Sequence, residues 1–178
     1  KTNILDPDAY LCQLAEIFNG ISVNTPSLSA IIAIILAGLL LLASGFASAS
    51  EIAFFSLSPS DLNDIEEGNH PSDGKISNLL ADSERLLATI LITNNFVNVT
   101  IIMLCNFFFM NVFVFHSPLA EFLILTVILT FLLLLFGEIM PKIYSAQKTL
   151  AFCRFSAPVI YVLRKVFAPI SAVLVHST

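Results

Sequence analysis

The 178 residues are 57% apolar and only 12% charged, with a net charge of −5 at pH 7, whereas about a quarter of an ordinary soluble domain is charged. A water-soluble core of this size could not hide so many Leu, Ile, Val and Phe side chains, and their clustering is the signature of membrane spans. The acidity comes mostly from residues 61–84 and gives no basic footprint for nucleic acid.

The chain opens on Lys, and residues 1–27 lack the basic-then-apolar order of a signal peptide, so it reads as a piece of a longer protein. Within that extracytoplasmic segment, residues 10–18 suit a short amphipathic helix. Residues 28–49 carry no charge and are long enough to cross a hydrocarbon layer of about 30 Å; Glu51 is expected to end this first span. Residues 56–85 then form a polar, partly helical insert. Residues 56–61 supply N-cap chemistry, with Pro59 compatible with a first helical turn, and residues 68–74 break the helical pattern.

A second span is expected over residues 86–109, with a limit at Phe115, and a turn at residues 116–118. The third span, residues 119–136, should stop at Gly137-Glu138-Ile139-Met140-Pro141-Lys142. Residues 143–178 are apolar but broken by Arg164 and Lys165. Two cations at mid-bilayer would cost a few kcal/mol each, so an amphipathic segment at the interface, its cations reaching lipid headgroups, is the cheaper arrangement. The fold class is therefore all-α membrane protein: a three-span core over residues 28–142 and juxtamembrane helices over 143–178. Lys75, Arg85, Lys142, Lys148, Arg154, Arg164 and Lys165 follow spans one and three, while only Lys1 lies on the other side. That bias places the N-terminus outside and the C-terminus in the cytoplasm, in an inner or plasma membrane.

Polar groups inside hydrocarbon are costly unless they are satisfied. Ser44 and Ser48 share a face of span one beside Gly45, either for close helix packing or to present hydroxyls. Asn94 and Asn98 share a face of span two with Asn95 to one side, as interhelical glue or as oxygen donors. Pro141 has no amide hydrogen, which in an α-helix frees the carbonyl of Gly137 next to Glu138. There the two readings are a cation-attracting helix end and a plain helix stop with Glu138 paired to Lys142. The donors are all hard oxygens, which suits Mg2+, Ca2+ or Na+ over zinc, copper or iron. Cys12, Cys105 and Cys153 are scattered, odd in number and fit apolar fillers.

The elements Ser48-Ala49-Ser50-Glu51-Ile52-Ala53, Thr93-Asn94-Asn95 with Asn98, and Gly137-Glu138-Ile139-Met140-Pro141-Lys142 follow in that order, each at its place relative to a span. Together they resemble the transmembrane domain of the CorC/cyclin M (CNNM) family of magnesium transporters over roughly residues 28–175. The resemblance implies a homodimer of three-span protomers in the lipid bilayer, with a cytosolic juxtamembrane helical belt. It implies Mg2+ bound through Ser48, Asn94, Gly137 and Glu138, with Ser44, Glu51 and Asn98 nearby. It also implies export coupled to Na+ entry and nucleotide-sensing CBS domains in the full-length protein. Ile52 departs from the Thr of many relatives, and Phe54-Phe55-Ser56-Leu57-Ser58-Pro59 is similar to a gliding-motility-associated branch.

A Mg2+ transporter is the leading expectation. The alternative is a non-transporting membrane scaffold or assembly partner with a vestigial cation site. An enzyme is not expected, because no activated nucleophile with a positioned base is present and His70, His116 and His176 are far apart in sequence.

Overall fold

The computed structural model describes residues 22–114 and 118–168. The chain runs β1 (Ser22–Val23), α1 (Leu28–Phe55), α2 (Pro59–Glu66), α3 (Asp73–Leu80), α4 (Ser83–Val112), β2 (Phe113–Val114), α5 (Pro118–Leu132), a π-helical segment (Leu133–Ile139), α6 (Met140–Gln147) and α7 (Thr149–Val166). The expected helix at residues 10–18 and the residues beyond 168 lie outside the described part.

Among the described residues three helices are long and apolar enough to cross a membrane: α1, α4, and a continuous Glu121–Gln147 formed by α5, the π segment and α6. Helix α1 begins where Ser27 accepts the Ala30 amide, at 3.2 Å, on its hydroxyl. It does not end at Glu51 but continues to Phe55. Twenty-eight residues span about 42 Å, more than the hydrocarbon needs, so Glu51 rides on a helix that projects beyond it. The third helix likewise passes through Pro141 instead of stopping there.

The packing of α1 reverses the soluble pattern. Its buried stripe is small, including Ala30, Ala33, Ala37, Ser44 and Ser48, while Ile32, Ile35, Leu39 and Leu42 face outward. Between helices already in lipid there is little hydrophobic gain from burying Leu, so small residues that let backbones approach take the interface. Ala37 packs with Val97, Ile101, Cys105 and Leu129 into a core shared by the three spans.

A second core sits at the end of the spans that carries the α2–α3 insert. Ala53 and Phe54 of α1 meet Ile65, Ile76 and Leu79 of the insert, Leu86 and Ile90 of α4, and Cys153, Ala157 and Ile160 of α7. The insert is built from local signals. Ser58 accepts the Asp61 amide while Asp61 accepts the Ser58 amide at 2.9 Å, a reciprocal cap with Pro59 in the first turn. The Ser58 hydroxyl, donating to that carboxylate at 2.7 Å, and then the Ser58 amide hold the Asp61 carboxyl below its ordinary value. Gly68, at φ +69°, ends α2 in the left-handed region that glycine enters without strain.

Helix α7 packs on this core as an amphipathic element and, among the described residues, is not one of the helices long and apolar enough to cross a membrane. Arg164 is held inward by the Asn78 carbonyl at 3.0 Å and by Asp82 at 3.3 Å. Deeper in, Arg154 grips Asp73 with two bonds of 2.8 and 3.1 Å, and Asp73 is fully buried. Burial pushes the Cys153 thiol up to about 12, so it packs as an apolar group. At the opposite end of the spans, Ser22 pairs with Val114 and Val23 with Phe113 in a short antiparallel ribbon.

Candidate cation site between the spans

Every other buried hydroxyl of α1 and α4 serves the carbonyl one turn back. Ser50 donates to Phe46, Thr89 to Arg85 and Thr93 to Thr89, each at 2.7 Å. Ser44 and Ser48 do not. The Ser44 hydroxyl crosses to α4, where it lies 2.9 Å from the Asn94 side-chain oxygen and 2.6 Å from that of Asn98.

One hydroxyl carries one proton, so it can satisfy only one of those two oxygens at a time. Three oxygens thus crowd around a single proton, with lone pairs to spare. Turning one amide over would present its NH2 to the hydroxyl instead, so the cluster can offer or withdraw an oxygen at the cost of a side-chain rotation. One turn along, the Ser48 hydroxyl is fully buried and has no hydrogen-bond partner. Such an orphan costs about 1–3 kcal/mol, and a ligand that used it would recover that cost.

The third span reaches this cluster through its backbone. A Cβ placed on Gly137 would stand 3.1 Å from the Ser44 hydroxyl oxygen, and one on Gly45 would meet the Pro141 ring at 3.0 Å and the Phe136 carbonyl oxygen at 3.2 Å. Glycine at both positions lets the π segment lie directly on α1. The π register also corrects the expectation for Pro141. The Met140 amide bonds the Leu135 carbonyl, five residues back, so in this register the amide that Pro141 lacks would have served Phe136, not Gly137. Isolated π turns within helices commonly mark functional positions.

Glu138 is half-buried and makes no ion pair or side-chain hydrogen bond among the described residues. The pairing with Lys142, which the helix-stop reading requires, is not made among the described residues. Lys142 instead reaches Glu51 on α1 at 3.1 Å, so Glu51 is engaged in tying the end of α1 to α6. Asn95 is exposed and takes no part. Among the described residues no three His, Cys, Asp or Glu side chains cluster as a metal site. The donors available here are hydroxyls, amide oxygens and backbone, with Glu138 as the carboxylate next to them in sequence. Oxygen donors of this kind are hard ligands and disfavour a soft metal.

Sequence reasoning placed Asn98 and Ser44 at the edge of the set, yet they form its tightest contact. Their spacing, four residues below Asn94 and four above Ser48, was the available signal. Gly45 was read as a packing residue, and its place opposite Pro141 is visible only in three dimensions. The Asp73–Arg154 pair was missed outright, since an acid in a helix's first turn looks like a solvated cap.

Residues 34–178 match the family described as Cyclin M transmembrane N-terminal domain (CNNM). The chain is also 32% identical over 130 residues to a UPF0053 protein of Haemophilus influenzae; the aligned part is 73% of this chain and 30% of that protein's length. Three apolar spans, the order of the serine, asparagine and glycine–glutamate elements, and this match converge on one conclusion. The chain belongs to the CorC/cyclin M (CNNM) transmembrane domain family.

Proposed function

We propose that this chain is the membrane domain of a Mg2+ transporter, in which the three spans bind the ion between Ser44, Ser48, Asn94, Asn98 and the Gly137–Glu138 backbone and carboxylate. The observation that carries the reading is the oxygen cluster around Ser44, with the orphaned Ser48 hydroxyl one turn away. Both cost stability without a ligand and suit a cation with one. The basic residues around the insert and α7 favour a cytoplasmic position for that end, so the site would load from inside. Export coupled to Na+ entry, a homodimer, and CBS domains in a longer chain complete the reading.

The test is the thermal stability of the purified chain in detergent with and without Mg2+. A ligand at about 100 times its Kd stabilises by roughly 2.7 kcal/mol. That rise should appear in the wild type and vanish in Asn94→Ala and Glu138→Ala. Equal shifts in all three, with no Mg2+ flux in reconstituted vesicles, would sink the proposal in favour of a scaffold.

A further inference from the structure

A separate cleft of about 230 Å3 opens at the insert-bearing end of the molecule, lined by Asn78, Arg85, Tyr161, Arg164, Lys165 and Ala168. Three cations surround it and one carboxylate faces them. Asp82 takes Arg85 and Arg164 on the same oxygen, each at 3.3 Å. Among the described residues Lys165 pairs with no acid; its ammonium lies 4.8 Å from the centre of the Tyr161 ring. The cleft therefore keeps a positive excess after its internal pairing. Tyr161 and Asn78 add a hydroxyl and an amide beside it.

Its depth narrows the ligand. Arg85 lies in the first turn of α4, whose 30 residues reach about 45 Å. That exceeds a hydrocarbon layer of about 30 Å, so the first turn stands at headgroup level. Along α7, Phe155, Val159, Val162 and Val166 form an exposed apolar stripe, while Arg164 projects from the opposite face and Lys165 from the border between the two. A cationic cleft beside an apolar stripe fits a molecule with an anionic head and an acyl tail. Guanidinium forks and an ammonium favour phosphate over other anions, and basic pockets between spans on the cytoplasmic side are recurrent lipid-headgroup sites.

We infer that the cleft between the start of α4 and the end of α7 binds the phosphate of an anionic phospholipid. The acyl chains lie along the α7 stripe, and the bound lipid clamps α7 to α4. This site is distinct from the oxygen cluster of the spans and does not depend on it.

The experiment measures the melting temperature of the purified chain in detergent with EDTA present, so that Mg2+ cannot bridge to the phosphate. The probes are phosphatidylglycerol, phosphatidylcholine and inorganic phosphate. Phosphatidylglycerol should raise the melting temperature by a few degrees, phosphatidylcholine should not, and Arg85→Ala/Lys165→Ala should lose the rise. The single Lys165→Ala, at an exposed side chain, should lose part of it and Lys165→Arg should keep it. An equal rise with inorganic phosphate alone supports the anion site and assigns it a soluble source. Equal rises with both lipids, or an undiminished rise in the double variant, would overturn the inference.

Discussion

The two ends of the polar chemistry in this molecule are built on opposite principles. At the junction of the insert with α7, every charge that goes inside is paired: Asp73 with Arg154, Arg164 with Asp82 and the Asn78 carbonyl. Large side chains such as Ile76, Leu79, Leu86 and Ile160 close around them. Between the spans the polar groups around Ser44 and Ser48 are neutral, the neighbours are small, and hydrogen bonding is incomplete. A fully satisfied network fixes one structure, whereas a partly satisfied one is high in energy until something completes it. The first region therefore reads as the joint that holds the helices, and the second as the place kept open for a ligand.

The sharpest way to break this contrast is at the joint. Asp73→Ala leaves the Arg154 guanidinium without its partner, and removing one member of a buried pair is strongly destabilising. The melting temperature should fall by roughly 5–10 °C, more than for any substitution between the spans. The joint should also carry a pH signature. Arg154, through its hydrogen bonds, holds the Asp73 carboxyl below its ordinary value of 3.8. Stability from the pair is then present above the unfolded value and lost as pH falls through the lower folded one. Acid melting curves should lose that slope in Asp73→Asn.

Next in size is Gly45→Ala. The new methyl would press on the Pro141 ring and the Phe136 carbonyl oxygen, neither of which can swing aside, and overpacking of this kind costs about 1–3 kcal/mol. Gly137→Ala should cost less, because its first contact is the rotatable Ser44 hydroxyl. Moving that hydroxyl disturbs its bonds to Asn94 and Asn98, so the Mg2+-dependent rise in melting temperature should shrink more than the basal value. The smallest basal effect belongs to Ser48→Ala. Deleting an orphan hydroxyl should leave the apo protein unchanged or more stable by up to about 1 kcal/mol, while the Mg2+ response weakens. A clear basal loss in Ser48→Ala, measured beside the back-bonded Ser50→Ala, would show that the hydroxyl has a structural partner and would erase the contrast.

Particular residues show why some of this was legible beforehand. The cap at Ser58 and the break at Gly68 are local, set by a few adjacent side chains, and both appear where the spacing puts them. The helices run on past the expected ends of the spans for a related reason. Glu51 and Pro141 are strong local stop signals, but Lys142 pairs with Glu51, and a π register absorbs the missing amide of Pro141. Tertiary contact made both tolerable. Asp73 and Arg154 are 81 residues apart, too far for any pattern along the chain to link them.

By itself the sequence determined that three segments cross a membrane and which face of each carries polar residues, because hydrocarbon penalises charge and helical periodicity assigns faces. It also carried the ordered elements that identify the family. Tertiary structure decided which polar groups meet and which are left unsatisfied. Ser44 finds two amides and Ser48 none because of the register in which α4 lies on α1, and the glycines at 45 and 137 let the third helix close on the same face. That depends on the relative placement of helices, which no single helix encodes.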